Sequence, residues 1–207
     1  MMMNGIAIAL FSLLATVLTS GFQVHPVVSI RRPSSLKSSD GEDNQELLLV
    51  RNYLAENYKA FSNLLQKNDA VWKALAGADG GFTVFAPNAA AFAALGDKKL
   101  VQLADARNLE TTEKIGSYHV IAETVTAEQL FNSAGVITMG GTVDVGRSVK
   151  GGMFGIGGKE DGGVTVNGAK VVRSVEIGKG ILHEVDALIS PQILWRYMDQ
   201  LRIPGSK

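Results

Sequence analysis

The chain has 207 residues and a mass of 22.0 kDa, with 20 Lys+Arg against 20 Asp+Glu, a length that holds one ordinary domain with extensions. At 46% hydrophobic and 19% charged it can bury a core, and its neutral balance offers no basic stripe for phosphates, so disorder and nucleic-acid binding are set aside. Zero Cys removes disulfides, thiolate nucleophiles and cysteine-ligated metal centres.

Residues Ile6 to Leu18 are apolar except for Ser12 and Thr16, and run into Thr19-Ser20-Gly21. As a helix this stretch rises about 20 Å, short of a bilayer core of roughly 30 Å, and small residues follow it, so residues 1–21 read as a signal peptide, with a retained anchor as the alternative. Residues 22–44 read as a disordered transit-like or propeptide segment. From Phe22 to Ser39 it carries Arg31, Arg32 and Lys37, five Ser and no acid. A signal peptide followed by such a segment resembles the two-part leader of algae with secondary plastids, and implies entry into the secretory route and a plastid, thylakoid-associated destination; a secreted protein is the alternative. Loss of residues 1–39 leaves 17 basic against 20 acidic residues, a mildly acidic mature chain.

From Gln45 to Leu75 apolar residues recur at helical spacing (Leu47, Val50, Leu54; Phe61, Leu64, Leu65; Val71, Trp72, Leu75) and predict two or three helices. Asp79-Gly80-Gly81 breaks the run, and Phe82 to Phe85 predicts a strand stopped by Pro87. Asn88 caps the Ala-rich helix that follows. Short helices are expected over Leu100–Leu103 and Leu109–Ile115, then a strand over Tyr118-His119-Val120-Ile121. Thr126 and Gln129 have capping-box spacing. After Gly135 the period changes to two, and the rest reads as an antiparallel meander: Val136–Thr138, Thr142–Val149, Val164–Val166, Ala169–Val175 and Ile181–Val185. Asn167-Gly168 signals a type I′ turn. Ile193, Leu194, Tyr197, Met198 and Leu201 predict a buried stripe on a C-terminal helix, and Trp195 falls beyond its edge.

Three ordered boxes carry a resemblance. Phe82 to Phe92, with Phe85, Pro87, Asn88 and Phe92, resembles the first box of the fasciclin domain family. Tyr118-His119 resembles its central Tyr-His box. Asn167-Gly168 followed by Gly180 to Pro191, with His183 and Asp186, resembles its last box. Together they cover about Leu47 to Trp195. The resemblance implies an α+β fold, a compact β-sandwich wedge of two sheets with several packed helices in a single domain over residues 45–203, followed by a tail at 204–207. It also implies a non-enzymatic adhesion or protein-interaction module whose partner is another protein, a glycan or a membrane-bound assembly. Ala89, Lys179 and Glu184 depart from the family pattern, and Glu184, charged on a strand, is expected to point outward.

Nothing in the residues calls for a cofactor or a metal. The mature chain has two histidines, no H-E-x-x-H and no G-x-S-x-G. His119 and His183 therefore read as structural, and a hydrolase would need a carboxylate or hydroxyl beside one of them in an open cleft. The Gly-rich stretch 150–163 lacks the P-loop spacing, since Met153 and Glu160 stand where Gly and Ser or Thr are needed. Its apolar Met153, Phe154 and Ile156 either fold back or form a contact finger. Trp195 is the other aromatic candidate for contact. Glu176-Ile177 occupies the place of a family adhesion pair, Asp-Ile. The second reading is a carrier of a small apolar ligand, a lipid or pigment, held between helices and sheet.

Overall fold

The computed structural model describes residues 28–30, 39–151 and 159–200. The signal peptide, the tail and the apolar finger at Met153, Phe154 and Ile156 lie outside the described residues. Three helices open the domain, α1 (Ser39–Asn57), α2 (Lys59–Leu65) and α3 (Asp69–Ala76). Upstream, within the 22–44 stretch, Val28–Ile30 forms a short strand, β1. The helical spacing read from the sequence is the buried face: Val50, Leu54, Phe61, Leu65, Val71 and Trp72 pack on Val84, Ala86, Val175, Ile177 and Leu182 of the sheet. Asn68 caps α3 by accepting the Val71 N–H at 3.1 Å, and its Nδ2 donates to the Glu113 carbonyl at 2.7 Å, tying α3 to a later helix.

The sheet contains β2 (Thr83–Pro87), β3 (Val120–Ile121), β4 (Gly135–Thr138), β5 (Gly141–Lys150), β6 (Lys159–Val166), β7 (Ala169–Ile177) and β8 (Gly180–Val185). The order is β3-β2-β8-β7-β6-β5-β4, with β1 added to β7. The antiparallel meander from β4 to β8 follows the sequence reading. β2 pairs parallel with β8, Phe85 opposite His183, a long-range pairing that period-two alternation does not reveal. A sandwich of two sheets was expected; the strands instead form one continuous ladder that curls toward a barrel. Register shifts between Arg147 and Val149 and between Val171 and Arg173 bend the long strands. The ends then meet, Met139 N–H bonding to Val120 O at 2.8 Å and Gly140 N–H to Ser117 O at 3.0 Å. Inside the curl lies a second apolar cluster built on Phe85, Leu130, Val166, Val185 and Ile189. Burying a ring the size of Phe85 stabilises by about 1.5–3 kcal/mol.

The remaining helices are α4 (Ala89–Ala93), α5 (Gly96–Ala104), α6 (Leu109–Ser117), α7 (Ala127–Asn132) and α8 (Gln192–Gln200). Asn88 Oδ1 accepts the Ala91 N–H at 2.9 Å, and Thr126 and Gln129 form the capping box. Asn167 and Gly168 both have positive φ, +49° and +84°, as a type I′ turn requires.

Two expectations are corrected. Tyr118 and His119 are not in a strand; α6 runs to Ser117, and their N–H groups bond back to carbonyls of its last turn, so the strand starts at Val120. On α8 the buried residues are Trp195 and Met198, while Ile193 and Tyr197 are 64% and 50% exposed. The buried stripe is rotated toward Trp195, which packs with Met198 in the helix-side core and donates its indole N–H to Ser190 Oγ at 2.8 Å, leaving Trp195 only 8% exposed instead of at the rim.

Candidate functional site

β2 is buried along its whole length and sends alternate side chains to opposite faces, as the sequence indicates: Val84 and Ala86 to the helices, Thr83 and Phe85 into the curl. Thr83 Oγ1 donates to Glu123 O and accepts from Val125 N–H, both at 2.8 Å. The fixed Val125 carbonyl in turn accepts His183 Nε2–H at 2.8 Å. A carbonyl only accepts, so Nε2 carries the proton and Nδ1 accepts from Ser174 Oγ, 2.7 Å away. Phe85 stacks on the imidazole with centroids 5.6 Å apart.

His119 is held in the opposite tautomer. Ile189 N–H donates to its Nε2 at 2.9 Å, so Nδ1 carries the proton and donates to Ile115 O at 2.8 Å. Each ring therefore has both nitrogens satisfied inside the protein. Burial pushes both imidazoles down to about 4, against the opposing effect of their bonds to Ile115 O and Val125 O. They are neutral at pH 7. Tyr118 is half-buried at the edge of the Phe85 cluster, its ring across Gly140 and Gly141, where a Cβ at Gly140 would come within 2.6 Å of it.

Ser174 is the partner that sequence reasoning missed. The hairpin supplies the signal, because a two-residue turn at Gly178-Lys179 sets Ile177 opposite Gly180 and hence Ser174 opposite His183. The pair resembles the start of a Ser-His nucleophile system. It lacks the rest: Ser174 is 4% exposed, His183 is fully buried, and the group orienting the imidazole is a neutral carbonyl. Asp186 is turned elsewhere and accepts the Lys170 N–H at 2.7 Å. Among the described residues no cluster of three or more His, Asp or Glu is placed to hold a metal ion.

Glu184 does not simply point outward. Its carboxylate accepts from Tyr58 OH (2.8 Å), Arg173 Nε (2.6 Å) and Asn88 Nδ2 (3.3 Å), while Arg173 also donates to Tyr58 OH at 3.0 Å. Burial alone would raise its pKa, but the bonds from Arg173, Tyr58 and Asn88 outweigh that and hold it below its ordinary value. Burial first, and then Glu184, push the Tyr58 phenol upward. This quartet joins α1 and α2 to β7, β8 and the cap of α4, and only Asn88 of its members belongs to the first box. Beside it runs an apolar groove of about 430 Å³ lined by Tyr58, Pro87, Ala89 and Phe92. Through Ala60, Asn63 and Phe92 it continues into a hollow of about 290 Å³ bordered by Leu64, Leu100 and Leu103.

Of the other candidate contact residues, Glu176 is exposed and Ile177 is buried in the helix-side core. Trp195 is covered, with Lys99 Nζ 4.9 Å above its ring.

The three boxes thus interlock: Thr83 of the first sets Val125 for His183 of the last, and His119 of the second holds Ile189 of the last. A family model of the Fasciclin domain matches residues 56–191. The chain belongs to the fasciclin domain family. Fasciclin domains are generally interaction or adhesion modules and generally non-enzymatic. Protein sll1483 of Synechocystis sp. (strain ATCC 27184 / PCC 6803 / Kazusa) is 36% identical over 115 residues, covering 55% of this chain and 57% of that protein. The solved structure of a FAS1 domain pair from the insect cell adhesion molecule Fasciclin I superposes with a TM-score of 0.46 at 18% identity, covering 63% of this chain and 44% of that one. The chain spans about half the length of these two. No helix among the described residues is long and apolar enough to cross a membrane.

Proposed function

We propose that this fasciclin domain is a non-enzymatic recognition module that attaches to a plastid membrane assembly, and that the outer face of α8 makes the contact. The observation that carries this reading is the exposure of Ile193 and Tyr197 at 64% and 50% on a helix whose other face is anchored by Trp195 and Met198. A rigid helix presenting an aliphatic and an aromatic residue offers preorganised apolar area, with little ordering cost on binding. The polar groups of the family boxes support it from the other side, since they are engaged in holding the interior. The plastid location rests on the two-part leader.

The test is equilibrium binding of the purified chain to isolated thylakoid membranes. The double variant Ile193→Asp, Tyr197→Ala is expected to lose at least tenfold in affinity while its unfolding midpoint stays unchanged; equal binding of variant and parent would overturn the reading. Native N-terminal sequencing tests the location: a start near Asp40 supports two processing steps, and one at Phe22 supports secretion.

A second reading, a carrier for a small apolar ligand, is favoured by the groove along Phe92. It predicts a lipid or pigment in organic extracts of the native protein, displaced by Ala60→Trp.

A further inference from the structure

Strand β7 has two different neighbours on one of its edges. β6 pairs with it only at Ala169 and Lys170 and then diverges. At the other end β1 pairs with it in parallel, Val28 opposite Val175, Ser29 opposite Glu176 and Ile30 opposite Ile177. β8 occupies the opposite edge from Val171 to Ile177.

The direction of the backbone groups follows from β8. Ile181 N–H bonds to Phe82 O at 2.9 Å, so Ile181 gives its backbone to β2. Glu176, which faces Ile181, must then aim its own N–H and C=O away from β8, toward the edge where β1 lies. Glu176 is thus the residue through which a strand at this edge is held, and its exposed side chain stands on the solvent face. Val175 and Ile177 point the other way, into the core with Val50 and Leu54 of α1.

The edge is closed by a segment outside the residues that the family model matches. The Fasciclin match begins at residue 56, whereas β1 lies at 28–30. An exposed strand edge is a template for pairing, and domains close such edges with their own elements or offer them to partners. Here three residues of ladder do the closing, a contact short enough for an extended peptide to compete with.

We propose that the Val175–Ile177 edge of β7 is a strand-addition site, filled in the full-length chain by Val28–Ile30 and opened to an extended peptide of a partner protein when that strand leaves or is removed by processing near Asp40. The peptide runs parallel to β7. In a parallel pair, facing residues share a side of the sheet, so positions opposite Val175 and Ile177 must be apolar. The middle position lies beside the Glu176 carboxylate and takes Lys, Arg, Ser or Thr. The chain's own Val28-Ser29-Ile30 has this apolar–polar–apolar order. The site is separate from the outer face of α8 and stands or falls without it.

The absence of Cys from the chain supplies the test. In the full chain carrying Ser29→Cys and Glu176→Cys, the two facing positions are within disulfide reach. The probe is a fluorescent peptide of residues 25–32. Expected are disulfide formation in high yield and peptide binding at least tenfold tighter to the reduced than to the oxidised protein. In the full chain with Ile30→Pro, which removes one N–H donated to Glu176, the Glu176 amide should exchange at least tenfold faster and the added peptide should restore its protection. Failure of the disulfide to form, or equal peptide binding in both redox states, overturns the proposal. So does concentration-dependent dimerisation of the Ile30→Pro chain that restores protection without peptide, which would make a second copy the occupant.

Discussion

Ser174 Oγ lies 2.7 Å from His183 Nδ1, and both residues are sealed between β7, β8 and the loop carrying Val125. The contact has the composition of a catalytic pair and the surroundings of a structural brace. Ser174→Ala leaves a buried ring nitrogen without a donor and is expected to cost about 1–3 kcal/mol in chemical denaturation. A fluorophosphonate probe should leave the folded protein unlabelled; labelling at Ser174 would restore the hydrolase reading.

The two imidazoles make stability depend on pH. Their folded pKa values of about 4 lie below the ordinary 6.5, so between these values the unfolded chain binds more protons than the folded one. Stability is therefore full above about pH 7 and falls as the pH drops toward 4, by about 3 kcal/mol for each imidazole. Urea midpoints measured from pH 7.5 to 4.5 should decrease steadily, and His183→Gln should remove about half of that slope. A flat profile would show that the rings are not buried neutral.

Much of this interior was legible beforehand and some was not. Asn88, Thr126 and Asn167-Gly168 announce themselves because capping and type I′ turns depend on a few adjacent residues. The alternation of β2 and the meander from β4 to β8 follow from local period. The β2–β8 pairing, the closure of Met139 on Val120 and the quartet of Tyr58, Asn88, Arg173 and Glu184 depend on residues far apart in sequence, which no local pattern records. Trp195 misled for a similar reason: the apolar spacing within α8 places it at a rim, while packing against residues far away in sequence, together with its bond to Ser190, covers it.

The quartet should behave as a coupled unit. Glu184→Ala strips Tyr58, Asn88 and Arg173 of a shared acceptor and is expected to destabilise by about 2–3 kcal/mol, with Arg173→Ala costing less because its guanidinium is half exposed. A double-mutant cycle between Tyr58→Phe and Glu184→Gln should show a coupling above about 0.5 kcal/mol, and strict additivity would contradict the geometry.

The central Tyr-His box gains a role from its neighbour. Gly140→Ala places a methyl group within 2.6 Å of the Tyr118 ring and should lower stability by about 1–3 kcal/mol, with Tyr118→Ala relieving part of the loss in the double variant.

The proposed recognition by the outer face of α8 is tested most directly by site-specific photo-crosslinking. With a photoreactive amino acid in place of Tyr197, illumination on native thylakoid membranes should give one discrete adduct with a membrane protein, absent when the same group replaces the exposed Glu128. No adduct at position 197, or the same adduct from both positions, would contradict it.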